Sequence, residues 1–374
     1  MLYVDLPTTE ELTRLANARE PGSVTIVLPT TKVTQDIGAS IIELKNLAKE
    51  AVRQLREAAF DKRKIAAIEG QIEDLAGDDA FWAHQATSLA LYVTPDNLAT
   101  FRLPTRLEPL VEVADRFHIK PLIRALAFPD VAFILALSEN NARLVEMHGD
   151  LPAEALKVDG LPKNMDAAGA RAKSRDVSPG GRFQGGAGET FHRRTYARKI
   201  DAALRPLLAG RDIPLVLACV DEFDAIYRTV NSYEHLAAEI VKGNPDRLSV
   251  SELAESARPI LLRLHAGKIA ALNEQYLMRE KQGRAGADLA LVARAAAAGA
   301  IDTLLVDIDA VVDGTLDEAT GAIAIAKEAG ADSYDIVDEI AGLTLRYGGR
   351  AIGLRKADLP VATSPLAAIY RYPA

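Results

Sequence analysis

Between Gly180 and Gly188 the chain places five glycines in nine positions, within SPGGRFQGGAG, and then runs straight into ETFHRRTYARK. Glycine admits backbone conformations and close approaches that side chains forbid. Arginine supplies a planar fork of donors matched to phosphate. Side by side they make a surface suited to a polyanion at short range. From Arg171 to Lys199 eight basic residues stand against two acidic ones, in a chain whose formal net charge is −8. A basic island on an acidic body points to one local polyanion contact rather than indiscriminate coating of nucleic acid.

The periodicity from Glu189 to Leu208 predicts a helix with Phe191, Tyr196, Ile200, Ala203, Leu204 and Leu207 on its apolar side. His192, Arg193, Arg194, Arg198 and Lys199 crowd its first turns. Cations at an exposed helix N-terminus are disfavoured by roughly 0.3–1 kcal/mol each, so something other than helix stability accounts for them. A helix N-terminus with arginines and glycine-exposed amides is a good arrangement for phosphate groups.

Other chemistries fail on the residues present. Gly181 and Gly186 have the spacing of a nucleotide-binding loop, but Ala187 and Gly188 stand where Lys and Ser or Thr are needed. A dinucleotide fingerprint through Gly186 and Gly188 would need glycine at Phe191. No Gly-x-Ser-x-Gly elbow occurs. The six histidines show no helical metal spacing, and Cys219 alone completes no zinc cluster, so neither metal nor cofactor is expected.

The elements that must position the basic stretch read as alternating α and β. SVTIVLP, residues 23–29, is a strand, and Ile37, Ile41, Leu44, Ala48, Val52, Leu55 and Ala59 mark a covering helix. A second helix fits 63–75, and SLALYVTPDNLATFRLP reads as a hairpin. Phe81 and Trp82 are read as packing residues, and Lys62, Arg63 and Lys64 as a solvated basic turn. VAFILALSENNARLVEMHG is a second hairpin turning at Glu139-Asn140-Asn141. Little periodicity follows as far as Gly188. Then come a buried strand in PLVLACV, a helix over 222–241, and a long helix over 249–281 that Pro259 should kink or divide. The end alternates again: helix 287–298, strand TLLVDID, helix 334–347, and strands in RAIGLRK and AAIYRYP. At 374 residues three domains are expected, over 1–127, 128–265 and 266–374. One cysteine, no basic-then-apolar leader and no apolar run of about 20 residues predict a cytoplasmic protein without a membrane span.

This order of hairpin, long loop with Gly-Gly-Arg-Phe-Gln-Gly-Gly-Ala-Gly, helix with RRTYARKIDAAL, and closing segments DLALVARAAAAGAIDTLLVDID and AAIYRY resembles the archaeal and eukaryotic class I peptide release factors and Pelota. The bacterial archaeo-eukaryotic release factor family is the branch it is most similar to. The resemblance implies an N-terminal α/β domain, an RNase H-like middle domain, and a C-terminal α/β/α sandwich of the kind found in kink-turn-binding ribosomal proteins. It also implies a ribosome-associated monomer binding rRNA and tRNA near the aminoacyl-tRNA site, with a translational GTPase as partner, in rescue, stalling or hibernation.

In that family a Gly-Gly-Gln loop helps water attack the peptidyl-tRNA ester. Here Arg182 follows Gly180-Gly181, and Gln184 precedes Gly185-Gly186, so neither register matches and hydrolysis is left open. Gln184 is the candidate catalytic side chain. Gly180, Gly181, Arg182, Gly185, Gly186, Arg193, Arg194 and Arg198 are the candidate RNA contacts. No Asn-Ile-Lys-Ser decoding motif lies near FDKRKIAAIEG, which leaves codon-specific termination unsupported. The alternative is an RNase H-like nuclease or phosphotransfer enzyme using Glu139, Asp221, Glu222 and Asp224.

Overall fold

The computed structural model describes residues 4–31, 37–127, 131–149, 152–169, 186–211, 213–326 and 333–373. Its contacts gather into two units, residues 130–267 and a unit that combines 2–129 with 268–374.

The first segment opens with α1 (Thr9–Asn17), begun by a capping box in which Thr8 and Glu11 satisfy each other's backbone amides. It continues through β1 (Ser23–Pro29), α2 (Ile37–Glu57), α3 (Lys62–Ala76), the short α4 (Asp79–Trp82), β2 (Ser88–Thr94), β3 (Asn97–Leu103), β4 (Leu110–Ala114) and α5 (Lys120–Ala127). The strands form an antiparallel sheet in the order β3-β2-β1-β4. Because strand side chains alternate, Val24, Ile26 and Leu28 face α2 and α3, while Val27 joins a second core with α1. Both faces are covered, which is why β1 and β2 read as mostly apolar runs.

The middle unit contains β5 (Val131–Leu137), β6 (Ala142–His148), β7 (Glu154–Leu156), α6 (Gly186–Leu208), β8 (Leu215–Cys219), α7 (Asp221–Val230), β9 (Leu236–Lys242) and the start of α8 (Val250–Glu280). Its sheet runs β7-β6-β5-β8-β9, with β5, β8 and β9 parallel. Phe133, Leu135, Leu215 and Leu217 pack under α6 and α7 on one face. Ala132, Ile134, Val145 and Val216 pack against Leu253, Ala257 and Leu261 of α8 on the other. Two expectations are corrected here. Residues 236–242 are a strand, not the end of a helix, because LAAEIVK pairs along β8 and that ladder overrides its helix propensity. Pro259 does not divide α8, which runs as one helix through it.

The last segment holds β10 (Ala285–Gly286), α9 (Leu289–Ala297), β11 (Ile301–Asp307), β12 (Asp313–Leu316), β13 (Ile323–Ile325), β14 (Tyr334–Asp335), α10 (Ile336–Arg346), β15 (Arg350–Leu354) and β16 (Leu366–Tyr370). They build one sheet ordered β10-β16-β11-β15 and a small one ordered β13-β12-β14. The fold is therefore mixed α/β with several sheets, as the alternation predicts. Leu12, Leu15, Phe117 and Ile119 share a core with Ile336, Ile340 and Leu343, which joins the two segments into one unit.

Buried charge reinforces that join. Lys120 pairs with Asp335, and both side chains are almost wholly buried. The Asp338 carboxylate accepts from the backbone N–H of Ile119 at 3.0 Å and of Lys120 at 2.6 Å, capping the start of α5. Arg19 reaches Glu318 and Glu339, each at 2.6 Å, and Arg116 reaches Glu339 at 2.8 Å.

Candidate nucleic-acid interface

Of the expected site, Gly180, Gly181, Arg182, Gln184 and Gly185 lie outside the described residues, and Gly186 is the first residue of α6. The geometry of α6 itself is set by its buried side. Tyr196, Ala197, Ile200, Leu204 and Leu208 are buried against the sheet, which fixes the rotation of the helix. At 100° per residue, positions 191, 194 and 198 then fall on one outward face, and position 193 falls inward.

The three arginines accordingly divide. Arg193 donates from Nε to Glu139 Oε1 at 2.9 Å and from Nη2 to Glu189 Oε1 at 2.8 Å, with its side chain 21% exposed. Its guanidinium also lies 5.8 Å from the ring centre of Phe223. Burial works against its charge, but the bond to Glu139 and the charges of Glu189, Glu139 and Glu222 outweigh it and hold the guanidinium still more firmly charged. Arg194 and Arg198 point outward and are exposed. Phe191 shares their face with 65% of its surface exposed, edge-on to His192 at 5.8 Å. The sequence pattern places Phe191 with the apolar side, and the structure moves it to the outward face.

The elements flanking residues 170–185 are fastened to one place, the β5–β6 turn. Arg193 holds Glu139 from the α6 side. From the other side, Met165 N–H donates to the Glu139 carbonyl at 3.0 Å, and Met165 and Ala168 are buried. Lys199 Nζ donates to the Ala168 carbonyl at 2.6 Å, tying α6 to that segment. These roles of Glu139 and Lys199 were not visible in the sequence.

Three of the four carboxylates of the alternative reading have a cation beside them. Glu139 is bound by Arg193, Asp221 lies 3.4 Å from Lys242, and Asp224 lies 2.7 Å from Arg228. Among the described residues no group of three or more His, Cys, Asp or Glu is placed to hold a metal ion. Cys219 is buried, and burial pushes its thiol up to about 12. Trp82 is buried with its Nε1 donating to the Leu75 carbonyl at 2.8 Å, and Phe81 packs edge-on against it. Among the described residues no helix is long and apolar enough to cross a membrane.

Residues 129–267, the middle unit almost residue for residue, match the model of bacterial archaeo-eukaryotic release factor family 11. The resemblance read from the glycine-rich stretch and the basic helix is therefore shown for the unit that carries them. No curated protein matches the chain. Among solved structures, ribosome-bound archaeal Pelota, solved with ABCE1, is 12% identical over 99% of this chain and 96% of its own, with a TM-score of 0.42. Saccharomyces cerevisiae Dom34, described as a translation termination-like factor interacting with Hbs1, is 13% identical over 76% of this chain and 73% of its own, with a TM-score of 0.39. The archaeal translation termination factor aRF1 is 15% identical over 98% of this chain and 99% of its own, with a TM-score of 0.24.

Proposed function

We propose that this chain is a release-factor-like, ribosome-associated cytoplasmic factor that binds near the aminoacyl-tRNA site and acts in rescue, stalling or hibernation without reading a stop codon. The match of residues 129–267 to the release factor family carries the reading. The geometry of α6 supports it physically. Arg194 and Arg198 are exposed cations about 6 Å apart along the helix axis, in reach of neighbouring phosphates. Phe191 offers a ring face on the same side, and stacking on an aromatic ring is a sequence-tolerant way to hold an unpaired base. Gly180, Gly181, Arg182, Gly185 and Gly186 are the further RNA contacts of this reading, while Arg193 serves it by fixing the helix. Gln184 is the side chain of the stretch suited to orient a water at the peptidyl-tRNA ester. A translational GTPase is the protein partner that fits this role.

Cosedimentation with ribosomes tests the reading, comparing the wild type with Arg194→Ala/Arg198→Ala, followed by peptidyl-tRNA hydrolysis with Gln184→Ala as control. The wild type is expected to pellet with ribosomes and the double variant to remain largely in the supernatant. Equal pelleting of the two proteins, or no pelleting of either at low salt, overturns it.

A further inference from the structure

A cavity of about 220 Å³ lies where the end of α8, the turn after it, the start of β11 and the end of β16 converge. Gln275, Arg279, Arg284, Asp302, Tyr370 and Arg371 line it. Three arginines and one aspartate thus meet at one cavity. Among the described residues none of the three arginines has a carboxylate partner, and their bonds inside the chain are few. Arg284 donates from Nη2 to the Arg371 carbonyl, Arg371 from Nη2 to the Tyr347 carbonyl at 2.8 Å, and Arg279 from Nη1 to Gln282 at 3.4 Å. Each guanidinium carries five N–H donors, and most have no acceptor among the described residues. Arg284 Nε is buried with no hydrogen-bond partner, a costly condition that a ligand oxygen would relieve.

The site is rigid where it needs to be. Tyr370 N–H donates to the Arg284 carbonyl and Arg371 N–H to the Ala300 carbonyl, both at 2.8 Å, so the backbones of both arginines are fixed. Asp302 sits at the register shift between β11 and β16, and one of its oxygens already accepts from the Thr303 hydroxyl at 2.9 Å. Such a shift re-aims the side chain it carries. The volume is below the roughly 300 Å³ of a drug-sized pocket, which excludes a whole nucleotide and suits a compact anion.

We infer that this cavity binds a phosphoryl group, with Arg279, Arg284 and Arg371 as its donors. Several oxygens on one tetrahedral centre match several forks at once, as a single carboxylate does not. Asp302 opposes the anion and sets its affinity. The site is separate from α6 and does not depend on the function proposed for it.

Calorimetric titration of the full chain at low ionic strength with inorganic phosphate, beside acetate, tests the assignment. Saturable phosphate binding is expected, weakened about tenfold by Arg279→Gln and by Arg284→Gln, and tightened severalfold by Asp302→Asn. Arg279 holds only Gln282 among the described residues, so its variant keeps the fold while removing a donor. No saturation with phosphate, or affinities unchanged in Arg279→Gln and Asp302→Asn, overturns the assignment. Competition by a short single-stranded RNA identifies a polynucleotide phosphate as the source, and its failure to compete identifies a free phosphorylated small molecule; either result upholds the site.

Discussion

Arg193 Nε donates to Glu139 Oε1 at 2.9 Å across 54 residues of sequence, closing the first turns of α6 onto the β5–β6 turn. That one link changes what the basic cluster means. Three arginines of one helix divide into one that builds the platform and two that face outward. The platform matters because Met165 and Arg193, on the two described sides of the glycine-rich stretch, are both fastened to Glu139, and Lys199 ties α6 to Ala168.

Arg193→Gln is expected to lower the stability of the middle unit by about 1–2 kcal/mol, in the range of a charge-assisted hydrogen bond that is partly screened. Glu139→Gln should cost a similar amount, and the double variant less than the sum, since the two act as one unit. Urea unfolding of the four proteins measures the coupling. Additive losses would show that the pair does not hold the helix.

Arg194→Ala and Arg198→Ala should behave oppositely, leaving stability within about 0.5 kcal/mol because neither side chain is buried. Their effect belongs to binding. If each neutralises one phosphate, the double variant lowers the slope of log affinity against log salt by about 1.4–1.8. Phe191→Ala should weaken binding with the slope unchanged, since stacking releases no counterions. Ribosome pelleting across a salt series reads both, and a slope unaffected by loss of both arginines refutes their role as phosphate contacts.

Strong periodicity made part of this architecture legible: β1, α2, the β2–β3 and β5–β6 hairpins, β8 and α6 all announce themselves by spacing. LAAEIVK does not, because its alternation and its helix propensity point to different structures, and only pairing along β8 decides. β10, β13 and β14, two or three residues each, are too short to carry a pattern. At the site, composition revealed the basic cluster but not its division. Phe191 and Tyr196 are five residues apart, which on a helix is about 140° of rotation, so grouping them by hydropathy alone sets the wrong face. The partner of Arg193 was out of reach for a different reason, since nothing local to Glu139 says which distant cation it will meet.

In the other unit, Lys120→Met should cost about 3–5 kcal/mol, because it leaves the Asp335 carboxylate buried without its cation. Asp335 also accepts from the backbone N–H of Val312 at 3.1 Å and Val337 at 3.0 Å, so the loss reaches β14 and the start of α10. Adding Asp335→Asn to Lys120→Met removes the stranded charge and should recover part of the loss. Thermal melts of the wild type and the two variants test it, and a Lys120→Met variant as stable as the wild type would refute the pairing.

The pH dependence of that unit follows from Glu112, which faces His118 at 3.2 Å, with Asp338 3.6 Å from the same imidazole nitrogen and Lys120, Asp335 and the Tyr92 hydroxyl close by. Burial, helped by the charges of Asp338 and Asp335 and opposed by His118, raises the Glu112 carboxyl above its ordinary 4.5. Burial likewise raises Asp338 above 3.8. As pH climbs past these ordinary values the unfolded chain gives up its protons first, and the folded chain keeps them until its own higher values are passed. Stability drawn from these groups is therefore complete at the acid end and declines as pH rises, the reverse of Asp115 and Glu318, which Arg116, Arg19 and Arg346 hold low and which lose their contribution as pH falls. Glu112→Gln should accordingly gain on the wild type as pH rises from about 4.5, by up to about 1.4 kcal/mol for each unit by which folding raises the carboxyl, and then level off. Urea unfolding between pH 4.5 and 7.5 measures this. A variant that loses ground to the wild type over that range would mean that the carboxylate form of Glu112 is the one the fold prefers.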